Sequence, residues 1–286
     1  MTDPAIAVLP YGKALGPSLA AMPVDDLIWP LGCPDRLAGA SVADLRADDH
    51  LIVFPRTATH FQLRRGTAAR ISLILGEPSV IHAKHLRLLR FSARRFFRVL
   101  TFHEALLAKL SNAVFFPLGT TWVPEWRDIK LDKTRMVSLI ASAKRDTGGH
   151  KLRHAMVDWV QRTGQDVDVM GRGYTAFEHK ADGLARYRFS VVIENVQERN
   201  YFSEKLVDAV LCNTVPIYWG CPNLDRFMDT SGIIQCRSQG DLERAVLAAN
   251  DADFQDRLPK LRAIQPVLEG YCNLEKRAAE AVLASL

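Results

Sequence analysis

The chain has little cysteine, and what it has is scattered: Cys33, Cys212, Cys221, Cys236 and Cys272 are odd in number and contain no closely spaced pair. That pattern excludes a disulfide framework and a structural zinc site, and it points to a reducing compartment. The eight histidines show no HExxH or comparable spacing, so His82, His85, His103, His150 and His154 read as surface or packing residues. No amino-terminal stretch has the charged start, apolar centre and cleavage site of a secretory signal, and no run approaches the ~20 apolar residues of a membrane span. A cytoplasmic chain is the expectation. One carboxylate pair, Asp166-Val167-Asp168, has the form of a metal-binding DxD, but it opens a short alternating strand that ends at Met170. An ordinary strand edge is the plainer reading, and no metal is expected there.

What is present is a long mixed α/β pattern. At 286 residues the chain can hold two domains, and a net charge of +5 with an isoelectric point near 9.0 fits phosphate-bearing substrates. The richest segment runs from Tyr187 to Pro222. Phe189 to Ile193 is an apolar, β-branched run that suits a strand buried on both faces, and it stops at Glu194 and Asn195. Ser203 then caps an amphipathic helix with stripe Leu206, Val207, Val210 and Leu211, terminated at Asn213, and Thr214 to Trp219 reads as a second strand. A strand-helix-strand crossover of this kind builds parallel sheets, whose ligands sit at the carboxyl ends of the strands. Lys205 falls in the first turn of that helix. A cation there opposes the helix dipole unless an anion binds beside it.

The construction occurs twice. Met136 to Ala141 reads as a strand, Ser142 to His150 as a loop with two glycines, and Lys151 to Gln161 as a helix, which puts Arg153 in a first helical turn as well. Two cations at the amino ends of two helices, on one sheet edge, suit a diphosphate.

The amino-terminal half shows short apolar runs at Ala5–Leu9, Leu27–Trp29, Leu51–Phe54, Ile71–Leu75 and Arg98–Phe102, as in a small doubly wound domain. The expected domains are 1–126 and 127–286, with Glu125 to Lys133 as linker. The tail from Asp241 onward, rich in Ala, Leu, Glu and Arg, reads as helices. Lys84 to Arg98 carries one lysine, five arginines and no acid among Leu and Phe. Such a segment suits an anionic membrane surface or a charged lipid-linked acceptor, although a solvated helix whose apolar side covers the sheet is the plainer expectation.

Taken in order, Tyr187-Arg188-Phe189, Glu194-Asn195, Tyr201, Ser203-Glu204-Lys205 and Thr214-Val215-Pro216-Ile217-Tyr218-Trp219-Gly220 resemble the α1,3/4-fucosyltransferases of glycosyltransferase family 10. The steps from Asn195 to Tyr201 and from Tyr201 to Lys205, six and four residues, match that family's pattern. The resemblance implies an α/β GT-B fold, with two Rossmann-like domains whose parallel sheets face across a cleft and a tail helix that crosses back to brace the first domain. It further implies an inverting, metal-independent transfer from GDP-fucose, needing no cofactor, to a glycan hydroxyl, for example in bacterial lipopolysaccharide or another surface glycan.

Carried over by resemblance, Lys205 and Arg153 meet the diphosphate, with Lys151 and Arg145 as substitutes for the latter. Asn195, Tyr201 and Glu204 meet the nucleotide or the fucose, with Glu194 beside them in the donor site. The base is expected on the amino-terminal side, where Glu77 follows the strand Ile71 to Leu75 and precedes Pro78; Glu104 and Asp35 are the reserves. A bacterial cytoplasmic enzyme, peripheral to the inner membrane and without nucleic-acid partners, follows from this picture. The alternatives are a GT-B transferase for another nucleotide sugar and a non-catalytic basic scaffold that binds glycan or nucleic acid.

Overall fold

The computed structural model describes residues 4–286. The chain divides into two compact units, Met1–Leu118 with Asn273–Leu286, and Gly119–Cys272. The first therefore closes at Leu118 rather than at 126, and the last fourteen residues belong to it rather than to the second.

The first unit is built on a five-stranded parallel sheet, ordered β1 (Ile6–Val8), β2 (His50–Val53), β3 (Arg70–Leu75), β4 (Val99–Thr101) and β5 (Ala113–Phe115). Each strand is short, and β1 to β4 are buried along nearly their whole length, as expected for strands covered on both faces. Leu27–Trp29 is not a sheet strand. Ile28 makes one antiparallel bridge to Val8, Pro23 makes another to Ser41, and the segment between β1 and β2 otherwise carries short helical turns. Helix α1 (Ser79–Ser92) follows β3, and the short helix α2 (Glu104–Leu107) follows β4. The basic segment is thus only partly helical: α1 starts at Ser79, ahead of Lys84, and the chain leaves it after Ser92.

The second unit repeats the plan. Its parallel sheet is ordered β10 (Ile234–Gln235), β9 (Val215–Trp219), β8 (Tyr187–Ile193), β6 (Arg135–Ile140) and β7 (Val167–Met170). Helix α3 (Gly148–Thr163) connects β6 to β7, and α4 (Glu204–Leu211) connects β8 to β9. β8 sits at the centre, in register with β6 through Val137↔Phe189 and with β9 through Val191↔Ile217. That position explains its unbroken apolar sequence. Leu206, Val207, Val210 and Leu211 of α4 are all fully buried against the sheet. Asn213 ends the helix in the left-handed conformation, φ 53°, which asparagine tolerates.

Two helices complete the second unit, α5 (Gln239–Ala248) and α6 (Asp251–Glu269). The chain then returns to the first unit as α7 (Leu274–Leu283), whose Ala278, Ala279 and Val282 pack with Ile6, Val8 and Ile52. Arg277 fixes this helix by donating to the carbonyls of Pro117 and Leu118. No helix among the described residues is long and apolar enough to cross a membrane.

Candidate functional site

The carboxyl end of β8 and the amino ends of α3 and α4 meet in the second unit. Sequence dictates the approach. Gly149 lies in the first turn of α3, and its amide donates to the Asn195 carbonyl at 2.9 Å. A Cβ at this position would stand 1.8 Å from the Glu194 carbonyl oxygen, so only glycine lets the helix come this close to the strand end. Gly220 plays the matching part after β9, where a Cβ would fall 2.6 Å from Glu194 Cγ.

Glu194 is completely buried, the first residue after β8. Its carboxylate accepts from the Ser203 amide at 2.8 Å and from the Ser203 hydroxyl at 2.6 Å, and lies 3.5 Å from Lys205 Nζ. Ser203 is the amino-terminal cap of α4, its hydroxyl accepting from the Lys205 amide, so one buried carboxylate orders the entrance of the helix. Lys205 Nζ donates to Ser203 Oγ at 3.0 Å and to Glu204 Oε1 at 3.1 Å. On the α3 side, Arg153 donates from Nε to the Ile193 carbonyl at 3.0 Å and from Nη2 to Asn195 Oδ1 at 2.8 Å.

Arg153 is therefore not in a first helical turn. α3 begins at Gly148, capped by Thr147, and Arg153 lies in the second turn with its guanidinium reaching the end of β8. Lys151 and Arg145 are exposed at the helix start and in the preceding loop.

The charges are layered. Side-chain exposure is 0% for Glu194, 9% for Glu204 and 24% for Lys205, so the cation is the member that faces outward. Burial would raise the Glu204 carboxyl, but Lys205 and Lys180 beside it bring it down to about 2. Burial likewise works against the Lys205 ammonium, and Glu194 and Glu204 more than offset it, leaving its pKa raised. Both groups are ionised at neutral pH. Arg153 is lowered by burial, against which Glu194, Tyr201 and Glu204 act.

The structure thus brings together Arg153, Glu194, Asn195, Glu204 and Lys205. Tyr201 is buried close to Arg153, the two being electrostatically coupled. Its loop is held by Asn200, at φ 64°, whose amide donates to Asn223 Oδ1 at 2.9 Å. Glu77 lies in the first unit, between β3 and α1, with its carbonyl 3.0 Å from His103 Nε2. Glu104 opens α2, and Asp35 is exposed on a single helical turn.

Two residues of the site escape a sequence reading. Lys180, from the loop before β8, stands 2.8 Å from the buried Asp208 carboxylate and 3.8 Å from Glu204, with its ammonium 4.9 Å from the centre of the Trp122 ring. His150, in the first turn of α3, is buried with Nδ1 unpartnered among the described residues, and burial together with Arg153 holds its pKa low. Asp168 of the DxD-like pair is engaged elsewhere. It pairs with Arg135 at 2.9 Å and accepts from the Tyr187 hydroxyl at 2.9 Å, on the neighbouring strands.

Each unit thus carries a five-stranded parallel sheet, and in the second unit cations and helix termini gather at the end of the central strand. Residues 130–248 match the model of glycosyltransferase family 10 (fucosyltransferase), C-terminal domain. Among curated relatives, the α-(1,3)-fucosyltransferase FucT of Helicobacter pylori is 30% identical over 74 residues, 26% of this chain and 15% of that protein. A putative fucosyltransferase-like protein of Arabidopsis thaliana is 28% identical over 120 residues, 39% of this chain and 23% of its own. The matched stretches thus span less than a quarter of either relative's length.

In three dimensions the chain is similar to a crystal structure of α1,3-fucosyltransferase with GDP-fucose, with TM-score 0.50, 17% identity, and coverage of 83% of this chain and 85% of that one. An α-glucosyltransferase in complex with UDP-glucose and DNA gives TM-score 0.50 at 13% identity, covering 82% and 78%. At these identities the likeness is one of fold.

Proposed function

We propose that the chain is an inverting glycosyltransferase that moves L-fucose from GDP-fucose to a hydroxyl of a glycan acceptor. The observation that carries this reading is Lys205, an ammonium presented outward at the start of α4 and held from behind by the buried Glu194. An anion beside Lys205 gains from the helix terminus and the ammonium together. Arg153, tied to the end of β8, supplies the second cation, and Lys205 with Lys180 holds the Glu204 carboxyl low. The proposed roles are Lys205 and Arg153 on the diphosphate, with Asn195, Tyr201 and Glu204 on the nucleoside or sugar hydroxyls. Glu194 acts as the positioning residue for Ser203 and Lys205.

In the proposed step the acceptor oxygen attacks the anomeric carbon and forms the new C–O bond as the bond to the β-phosphate oxygen breaks. GDP departs with the electron pair, and the hydroxyl proton passes to the carboxylate of Glu77, the proposed base. Side-chain cations neutralise the charge that develops on GDP. No divalent ion or cofactor is needed on this account. In support, Asp168 is committed to Arg135 and Tyr187. A bacterial surface glycan such as lipopolysaccharide, modified on the cytoplasmic side of the inner membrane, is the proposed acceptor.

The test is turnover of GDP-fucose, GDP-mannose and UDP-glucose over a panel of glycans, with and without EDTA. GDP-fucose should be preferred, EDTA should have no effect, and the product should show inverted anomeric configuration by NMR. Glu77→Gln should lower kcat by roughly 10²- to 10⁴-fold while leaving donor affinity unchanged. Preferred turnover of another donor would move the chain to a different nucleotide sugar.

A further inference from the structure

The first unit carries a cationic, apolar-tipped face that the transfer reaction does not use. Between His50 and His103 the sequence holds ten Lys and Arg and a single acid, Glu77. Three of these charges, Lys84, Arg87 and Arg90, lie on α1. Val80, Lys84, Arg87 and Phe91 recur at the four- and three-residue steps that align side chains on one helix face, and all four are exposed. Arg90 and Arg94 are exposed beside them. The sequence pattern predicts that the apolar side of this segment covers the sheet. Leu89 does so and is fully buried, but Phe91 is 88% exposed on the opposite side.

The neighbouring loop extends the face. His60 is hydrogen bonded to Ser92 at 2.8 Å and to His85 at 2.9 Å, and Arg95 donates to the Gln62 carbonyl at 2.6 Å, which pins the loop along the helix. From that loop Phe61 and Leu63 stand 60% and 85% exposed, with Arg64 exposed next to them. Large apolar side chains held in water at this density mark a contact surface rather than ordinary scatter.

We infer that this face docks the protein on an anionic lipid bilayer, with Phe61, Leu63 and Phe91 entering the headgroup region and Lys84, Arg87, Arg90, Arg94 and Arg64 meeting the lipid charges. Charge complementarity selects the occupant: a face with no acid of its own between Pro78 and His103 favours a polyanion. The protruding Phe and Leu side chains then select a bilayer over a soluble polyanion, because they gain only where an apolar phase lies behind the charges. The inference does not depend on the identity of the sugar donor.

The test is co-sedimentation of the full chain with vesicles of phosphatidylcholine containing about a third phosphatidylglycerol, beside pure phosphatidylcholine vesicles and a labelled single-stranded oligonucleotide. Binding should appear only with phosphatidylglycerol. Leu63→Ser combined with Phe91→Ser should weaken it at least about tenfold, and Arg87→Glu with Arg90→Glu should abolish it, with the thermal melting of both variants unchanged. Failure of the wild type to sediment with anionic vesicles would overturn the inference. So would oligonucleotide binding as strong as vesicle binding, or vesicle binding indifferent to the Leu63 and Phe91 replacements.

Discussion

The Glu194 carboxylate holds Ser203 at two points, accepting from its amide at 2.8 Å and its hydroxyl at 2.6 Å. Because Ser203 caps α4 and Lys205 lies 3.5 Å away from the same carboxylate, one buried charge sets both the helix terminus and the cation presented from it. An uncompensated charge at this depth would be costly, and its partners are what make it tolerable.

Removing that carboxylate should therefore damage stability and ligand binding together. Glu194→Ala leaves the Ser203 amide without its acceptor and takes from Lys205 one of its two carboxylate partners, and should cost about 3 to 5 kcal/mol in urea unfolding. Glu194→Gln keeps one acceptor for the amide and should cost roughly 1 to 3 kcal/mol. Unfolding midpoints matching the wild type in both variants would show that the carboxylate does not organise the site.

Gly149 and Gly148 are adjacent and should behave oppositely. Gly149→Ala drives a methyl against the Glu194 carbonyl, where the ideal Cβ lies 1.8 Å away, whereas Gly148 has nothing within 4 Å. The first substitution should destabilise by roughly 1 to 3 kcal/mol or more and weaken GDP binding. The second should be neutral or stabilise by up to about 1 kcal/mol, since alanine is the better helix former. Thermal melting of the two variants decides it.

Much of this region is legible in the sequence. The run Phe189 to Ile193, the Ser203 cap and the Asn213 terminator are local signals, and each of these elements forms where its pattern places it. The start of α3 was misplaced at Lys151 because Gly148-Gly149 reads as a loop by propensity. Packing against the end of β8 overrides that preference, and Arg153 moves into the second turn. Lys180 left no signal because its partner Asp208 lies far along the chain, on α4. β5 was missed because it is three residues long and only partly buried. The return of α7 to the first unit was foreseen as a crossing helix, but its residues were placed in the second domain, since a helical pattern does not say which sheet it packs on.

Acid should act on the site through Glu204. Its carboxyl is held at about 2 in the fold against an ordinary value of 4.5, so its contribution is fully present above pH 4.5 and is lost as pH falls toward 2. That contribution is roughly 2 to 4 kcal/mol at neutral pH. Glu204→Gln should remove it, so the stability gap between wild type and variant should narrow between pH 5 and pH 3 on urea titration. A gap that stays constant over that range would mean Lys205 and Lys180 do not stabilise the ionised form.

The central claim is that the end of β8 holds the diphosphate of a guanine nucleotide sugar. Calorimetric titration with GDP-fucose, GDP, GDP-mannose and UDP-glucose, without added metal, addresses it directly in the wild type and in Lys205→Ala. The account predicts guanine-selective binding, weakened in the variant by about 1.5 to 3 kcal/mol, the range of a hydrogen bond to a charged group. Binding indifferent to Lys205→Ala, or no binding of any nucleotide by the folded wild type, would contradict it.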